Sequence, residues 1–223
     1  MNDHSSKTLK PRYLWLFGAL IATVSVGLSA AEFKVADANL QACLEKTASK
    51  HKLTKPADFT QLKCHNQGIE SMAGLEQFVN LESLSLYNNK IERIEIDLEK
   101  LTKLKILNLA RNNLASADIH DLASIETIYL FDNGMEELTL ANLAKLEVLK
   151  ANNNALEHFS YSKTPKFKKL YIFNNQLETI NIYDLPALEY MDCRQNPMPD
   201  ALYDEMDKME QVTFLHDGNA EDW

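Results

Sequence analysis

The sequence predicts an α/β repeat solenoid, with a short parallel sheet along its concave side, a mostly non-helical convex side and a helical cap at each end. Three observations carry this. Apolar residues recur in an unequal rhythm that suits neither a lone helix nor a two-faced strand, as in "LESLSLYNNKI", where Leu81, Leu84, Leu86 and Ile91 are the apolar positions. The rhythm returns from Phe59, Leu81, Leu104, Ile125, Leu146, Phe167 and Leu188, at spacings of 22, 23, 21, 21, 21 and 21 residues. An asparagine fills the ninth position of six of these seven copies: Asn89, Asn112, Asn133, Asn154, Asn175 and Asn196. All 28 first, fourth, sixth and eleventh positions are apolar in a chain that is 45% hydrophobic, so the period is not chance.

The elements follow in chain order. Residues 1–31 carry Lys7, Lys10 and Arg12, then the uncharged run "YLWLFGALIATVSVGLSAA", ending in small residues before Glu32. That is the layout of a secretory signal peptide. An uncleaved membrane anchor is the alternative, since roughly 19 apolar residues can just span a bilayer. Cleavage would leave 20 basic and 31 acidic residues, so the exported protein is strongly acidic. A chain with a formal charge of −9 and no basic stripe is a poor partner for nucleic acid.

Residues 32–58 read as an N-terminal cap. In "DANLQACLEKTASKH", Asp37 takes an N-cap position, and Leu40, Cys43, Leu44, Thr47 and Ala48 share one helical face. Residues 59–199 are the seven coils. Each apolar strand alternates between core and concave surface, and the asparagine at the following corner can both donate and accept, satisfying turn backbone. Within the back halves, "IEI" (94–96), "LTL" (138–140), "FSY" (159–161) and "INI" (180–182) alternate and predict second, convex strands. Residues 200–223 close the solenoid: "DALYDEMDKMEQ" reads as a helix, and "VTFLHD" as a degenerate eighth coil with Val212 and Phe214 in the inward slots. "GNAEDW" reads as a frayed tail.

The consensus LxxLxLxxNxL, over about residues 59–217, resembles the leucine-rich repeat family. Its short period resembles the compact repeats of bacterial, internalin-like exported proteins. No Asn-x-Ser/Thr sequon occurs, which favours a bacterial source, with the protein in the periplasm, at the cell surface or secreted.

Cysteine usage fits export. Cys43 lies on the inward face of the capping helix and Cys64 in an inward slot of the first coil, so a disulfide between them would fasten cap to repeats. Two buried free thiols are the alternative. Cys193 takes an inward leucine slot as a small core residue. The six histidines show no metal-ligand spacing, and no phosphate loop, nucleophile elbow or HExxH occurs. The chain is read as a non-enzyme with no cofactor and no metal.

Function then falls to the outward slots, the third, fifth and seventh positions of each copy. Six of them are aromatic, Tyr87, Tyr129, Phe131, Tyr171, Phe173 and Tyr190, and nothing in the core requires those rings. Aromatic residues dominate binding hot spots because they cover large areas with few rotors. Lys150 and Asn152 lie between the two central pairs, and the outward cations Lys63, Lys150, Lys169 and Arg194 face only Asp192. Acids gather on the convex side, at Glu95, Glu99, Glu137 and Glu178 among others. The predicted partner-binding strip is Tyr87, Tyr129, Phe131, Lys150, Asn152, Tyr171, Phe173 and Tyr190, and the predicted partner is a protein. A glycan or cell-wall binding module is the alternative, because tyrosines stack on sugar rings. Membrane contact is expected only if residues 1–31 stay attached.

Overall fold

A computed structural model describes residues 33–222. The predicted signal segment lies outside the described residues.

Each copy places a three-residue strand at its third to fifth positions, and every neighbouring pair is parallel. The strands are β1 (Gln61–Lys63), β2 (Ser83–Ser85), β3 (Ile106–Asn108), β5 (Thr127–Tyr129), β7 (Val148–Lys150), β9 (Lys169–Tyr171) and β10 (Tyr190–Asp192). With β11 (Thr213–Leu215) they form one eight-stranded concave sheet in chain order. The 28 repeated apolar residues form its core, and none is more than 6% exposed. Removing that much apolar surface from water is the main term holding the coils together.

Strands stay short because the chain turns at the eighth position. Asn66, Asn88, Arg111, Asp132, Asn153, Asn174 and Gln195 all sit there with φ between 54° and 57°. Asparagine and aspartate tolerate this left-handed conformation best, and they hold five of the seven positions. The ninth-position asparagine then closes the corner. Asn112 donates to Leu86 O (3.0 Å) and Leu109 O (2.9 Å) and accepts from Ile91 N (3.0 Å). Asn175 and Asn196 repeat the pattern one and two coils further on from Asn154. Each carboxamide thus joins its own coil to the preceding one. Gln67, with no coil before it, turns back to His65 O instead.

The convex side departs from expectation in three coils. Its sheet comprises β4 (Ser116–His120), β6 (Glu137–Ala141) and β8 (His158–Ser162), in that order. Residues 138–140 and 159–161 are strands as expected, whereas 94–96 and 180–182 are not. The coil from Leu81 is two residues longer than the standard 21 and takes up the slack in a 3-10 turn at Leu98–Lys100. In the other, Asn181 Oδ1 accepts from Tyr183 N (2.9 Å), a local turn that withdraws the backbone from the ladder. The strand at 116–120 has no marked apolar alternation in the sequence, because small Ala117 is one of its two inward residues.

At the front, α1 (Ala38–His51) is capped by Asp37, whose Oδ1 accepts from Asn39 N and Leu40 N, both at 2.9 Å. The other carboxylate oxygen accepts from Glu70 N (2.8 Å) and Ser71 N (3.3 Å), joining the cap to the first coil. Cys43 and Cys64 are disulfide-bonded. Phe33, Phe59 and Phe78 pack edge to face, with centroids 5.0–5.6 Å apart.

At the back, α2 (Asp200–Met206) is shorter than the predicted helix. The eighth coil also runs two residues later than its sequence suggested. Phe214 pairs with Met191, so it fills the fourth slot and His216, fully buried, fills the sixth. A histidine in a leucine slot hid the register. Val212 is only half-buried. The tail is not frayed at its start: Asn219 donates to Phe214 O (3.2 Å) and accepts from His216 N (3.1 Å).

Candidate binding surface

Parallel pairing without slippage stacks equivalent positions into rows across the concave sheet. The fifth-position row reads Lys63, Ser85, Asn108, Tyr129, Lys150, Tyr171 and Asp192. All six predicted aromatics lie on this face and are partly exposed.

Five of the six rings group into two clusters, and Phe173 stands apart from both. In one, Tyr87 lies 6.4 Å from Phe131, although a whole coil separates them. The intervening seventh-position residue is Ala110, small enough for the rings to close over it. Tyr129 completes this cluster at 6.5 Å from Phe131, and His65 extends it at 5.6 Å from Tyr87. In the other, Tyr171 and Tyr190 lie 5.2 Å apart, with Lys150 Nζ 4.8 Å over the Tyr171 ring. Such a cation–π contact holds the lysine stem along the sheet while its charge stays at the surface.

Asn152 does not stand out from the face as predicted. It is 9% exposed, because the bulky seventh-position neighbours Phe131 and Phe173 flank it. Asp192 is likewise covered, and Arg194 grips both its oxygens at 2.8 and 2.9 Å. Arg111 pairs with Asp132 (2.9 Å) and lies 5.7 Å from the centre of the Tyr87 ring. The acids on this face are thus matched by arginines. Lys63, Lys150 and Lys169 make no ion pair with the described residues. Burial, and then the Asp192 charge, push the Tyr190 hydroxyl above its ordinary pKa.

Cys193 is buried, its thiol pushed up to about 12, by burial first and then by Asp192 and Asp217. It is no nucleophile at neutral pH. The convex side brings together one group the sequence did not suggest: Glu99, His120 and Asp121, all at the surface. His120 Nδ1 lies 3.2 Å from Glu99 and 3.0 Å from Asp121, and the Asp121 hydrogen bond raises its pKa. Glu95 is not a bland surface acid either, since it accepts from the Ser71 hydroxyl, Met72 N and Ala73 N.

A family model for leucine-rich repeats, in two copies, matches residues 79–124. No curated protein matches the chain. Among solved structures it is similar to internalin C2 of Listeria monocytogenes, at 20% identity and TM-score 0.53, over 82% of this chain and 94% of that one. It is also similar to the LRIM1/APL1C complex, at 25% identity and TM-score 0.52, over 64% of this chain but only 27% of that one. The corner asparagines, the parallel concave sheet and the short period agree with both findings: the chain is a leucine-rich repeat solenoid of the short-repeat kind.

Proposed function

We propose that the protein is exported and binds a protein partner through its concave aromatic face. One observation carries this reading: six aromatic side chains unneeded by the core are gathered on the concave sheet, beside lysines with no ion-pair partner among the described residues, in a chain of net charge −9. Five of the six rings are already packed against another ring and lose little freedom on binding. The solenoid fold is typically a binding scaffold, and one similar structure is of a complex, LRIM1/APL1C. A sugar would want free, converging amides beside the tyrosines. Here Asn152 is covered and Asn108 Oδ1 accepts from its neighbour Ala110 N (3.0 Å).

Affinity capture from the cell envelope, with the oxidised protein as bait, should recover a protein that is lost with the Phe131→Ala/Phe173→Ala variant. Equal recovery by that variant, with its fold intact, would sink the assignment. Export is checked by intact mass: the mature chain should begin near Glu32.

A further inference from the structure

A second surface lies at the front edge of the concave sheet, between the exposed face of α1 and β1, which the Cys43–Cys64 disulfide joins at the Lys63 end. Between them runs an open groove of about 510 Å³, lined by Lys46, Lys50, His51, Lys63, His65 and Gln61 among others. Among the described residues no acidic side chain lines it and none of its lysines is ion-paired, in a chain of net charge −9. Burial first, and then the Lys63 charge, lower the His65 pKa.

One side of this groove is the edge of β1 that does not pair with β2. Ser83 N donates to Thr60 O and Cys64 N to Ser85 O, so alternate residues of the first coil face β2. The alternation of a parallel ladder turns the N–H and C=O groups of Gln61 and Lys63 to the other side, into the groove. The near sulfur, Cys43 Sγ at 3.7 Å from Lys63 O, belongs to a disulfide and has no proton to give. From Ala42 to His51 the helix wall runs roughly 14 Å, enough for about four extended residues.

We infer that this groove binds an acidic, extended polypeptide segment, which adds a further strand to the sheet beside β1 while its carboxylates meet Lys46, Lys50 and Lys63. Charge selects an anion; the unpaired edge selects a polypeptide over a sugar or a small ion. This site is distinct from the aromatic strip and does not depend on it. It opens beside it, since His65 lines the groove and touches Tyr87.

The test is amide chemical-shift mapping on the oxidised protein, titrated with a peptide of alternating glutamate and valine at low salt. Shifts should centre on Gln61, Lys63 and His65. Affinity should fall about tenfold or more in Lys46→Ala/Lys50→Ala/Lys63→Ala, and by a similar factor when alternate peptide nitrogens are methylated. Three results would overturn the inference: no shift at about 2 mM peptide, equal binding of the methylated peptide, or equal binding by the triple variant. A heparin tetrasaccharide that moved the same amides more tightly would also overturn it, because the groove would then read charge alone. Phe131→Ala/Phe173→Ala should leave the peptide's affinity unchanged. If that variant abolishes it instead, the peptide sits on the aromatic strip and only the groove assignment fails.

Discussion

The corner asparagine has a job that no other side chain of its size can do. Its NH₂ reaches the sixth-position carbonyls of two successive coils while its oxygen takes an amide of the first. Alanine would leave these groups unpaired in a dry corner, so Asn154→Ala should destabilise by about 1–3 kcal/mol. Asn175 is more deeply buried than Asn154, and Asn175→Ala should lie at the upper end of that range. Urea unfolding midpoints check both, and an unchanged midpoint for either would contradict the role. The ninth position was legible because a polar residue in an apolar register is conspicuous. The left-handed eighth position was equally written in the chain, but Arg111 and Gln195 blurred its asparagine bias. Ring partners were not legible at all, because which side chains meet depends on what lies between them, as Ala110 does between Tyr87 and Phe131. Cys193 offers a second check at this scale. With its thiol pushed up to about 12, it should resist iodoacetamide at pH 8 until the fold is opened.

Among the elements, the N-terminal cap is the most heavily fastened. A disulfide spanning a separation of 21 residues should contribute about 3 kcal/mol through the unfolded chain, so reduction should lower the unfolding midpoint accordingly. Asp37 adds a pH-dependent fastening. Burial is the largest single influence and raises its pKa, but amides from Glu70, Leu40, Ser71 and Asn39 together bring it below the ordinary 3.8. Its contribution is therefore present above that value and lost as pH falls through the lowered one. The stability difference between the wild type and Asp37→Asn should hold at neutral pH and shrink in acid, as read by urea unfolding across pH. A difference that grows in acid would reverse the sign. Helix α1 was readable from its cap and apolar face. The convex strands were only half readable, because alternation in three residues cannot reveal a local turn such as that of Asn181 or the slack of a 23-residue coil.

For the whole molecule, the decisive property is that the exposed rings gather on the concave face beside Lys63, Lys150 and Lys169, in a chain of net charge −9. Replacing Phe131 and Phe173 with alanine should weaken the captured partner by about 2 kcal/mol or more while leaving the fold unchanged. Exposed convex Glu157 and Glu178 are suitable controls, and Glu157→Ala/Glu178→Ala should leave affinity nearly untouched. Glu95 would be a poor control, because it holds the backbone at residues 72 and 73. Calorimetric titration of both double variants decides the face: loss with the convex pair alone would place binding on the wrong side.

The two ends of the solenoid are fastened unequally. A covalent bond and the Asp37 carboxylate hold the first coil, whereas the last is closed by the short α2 and by His216, whose buried Nδ1 has no partner among the described residues. In a linear array each coil relies on its neighbours, so such an asymmetry gives unfolding a direction. The molecule should unravel from the back, coil by coil, with amide exchange fastest near β11 and slowest beside the disulfide. Reducing that one bond would free the front as well, and the gradient would flatten.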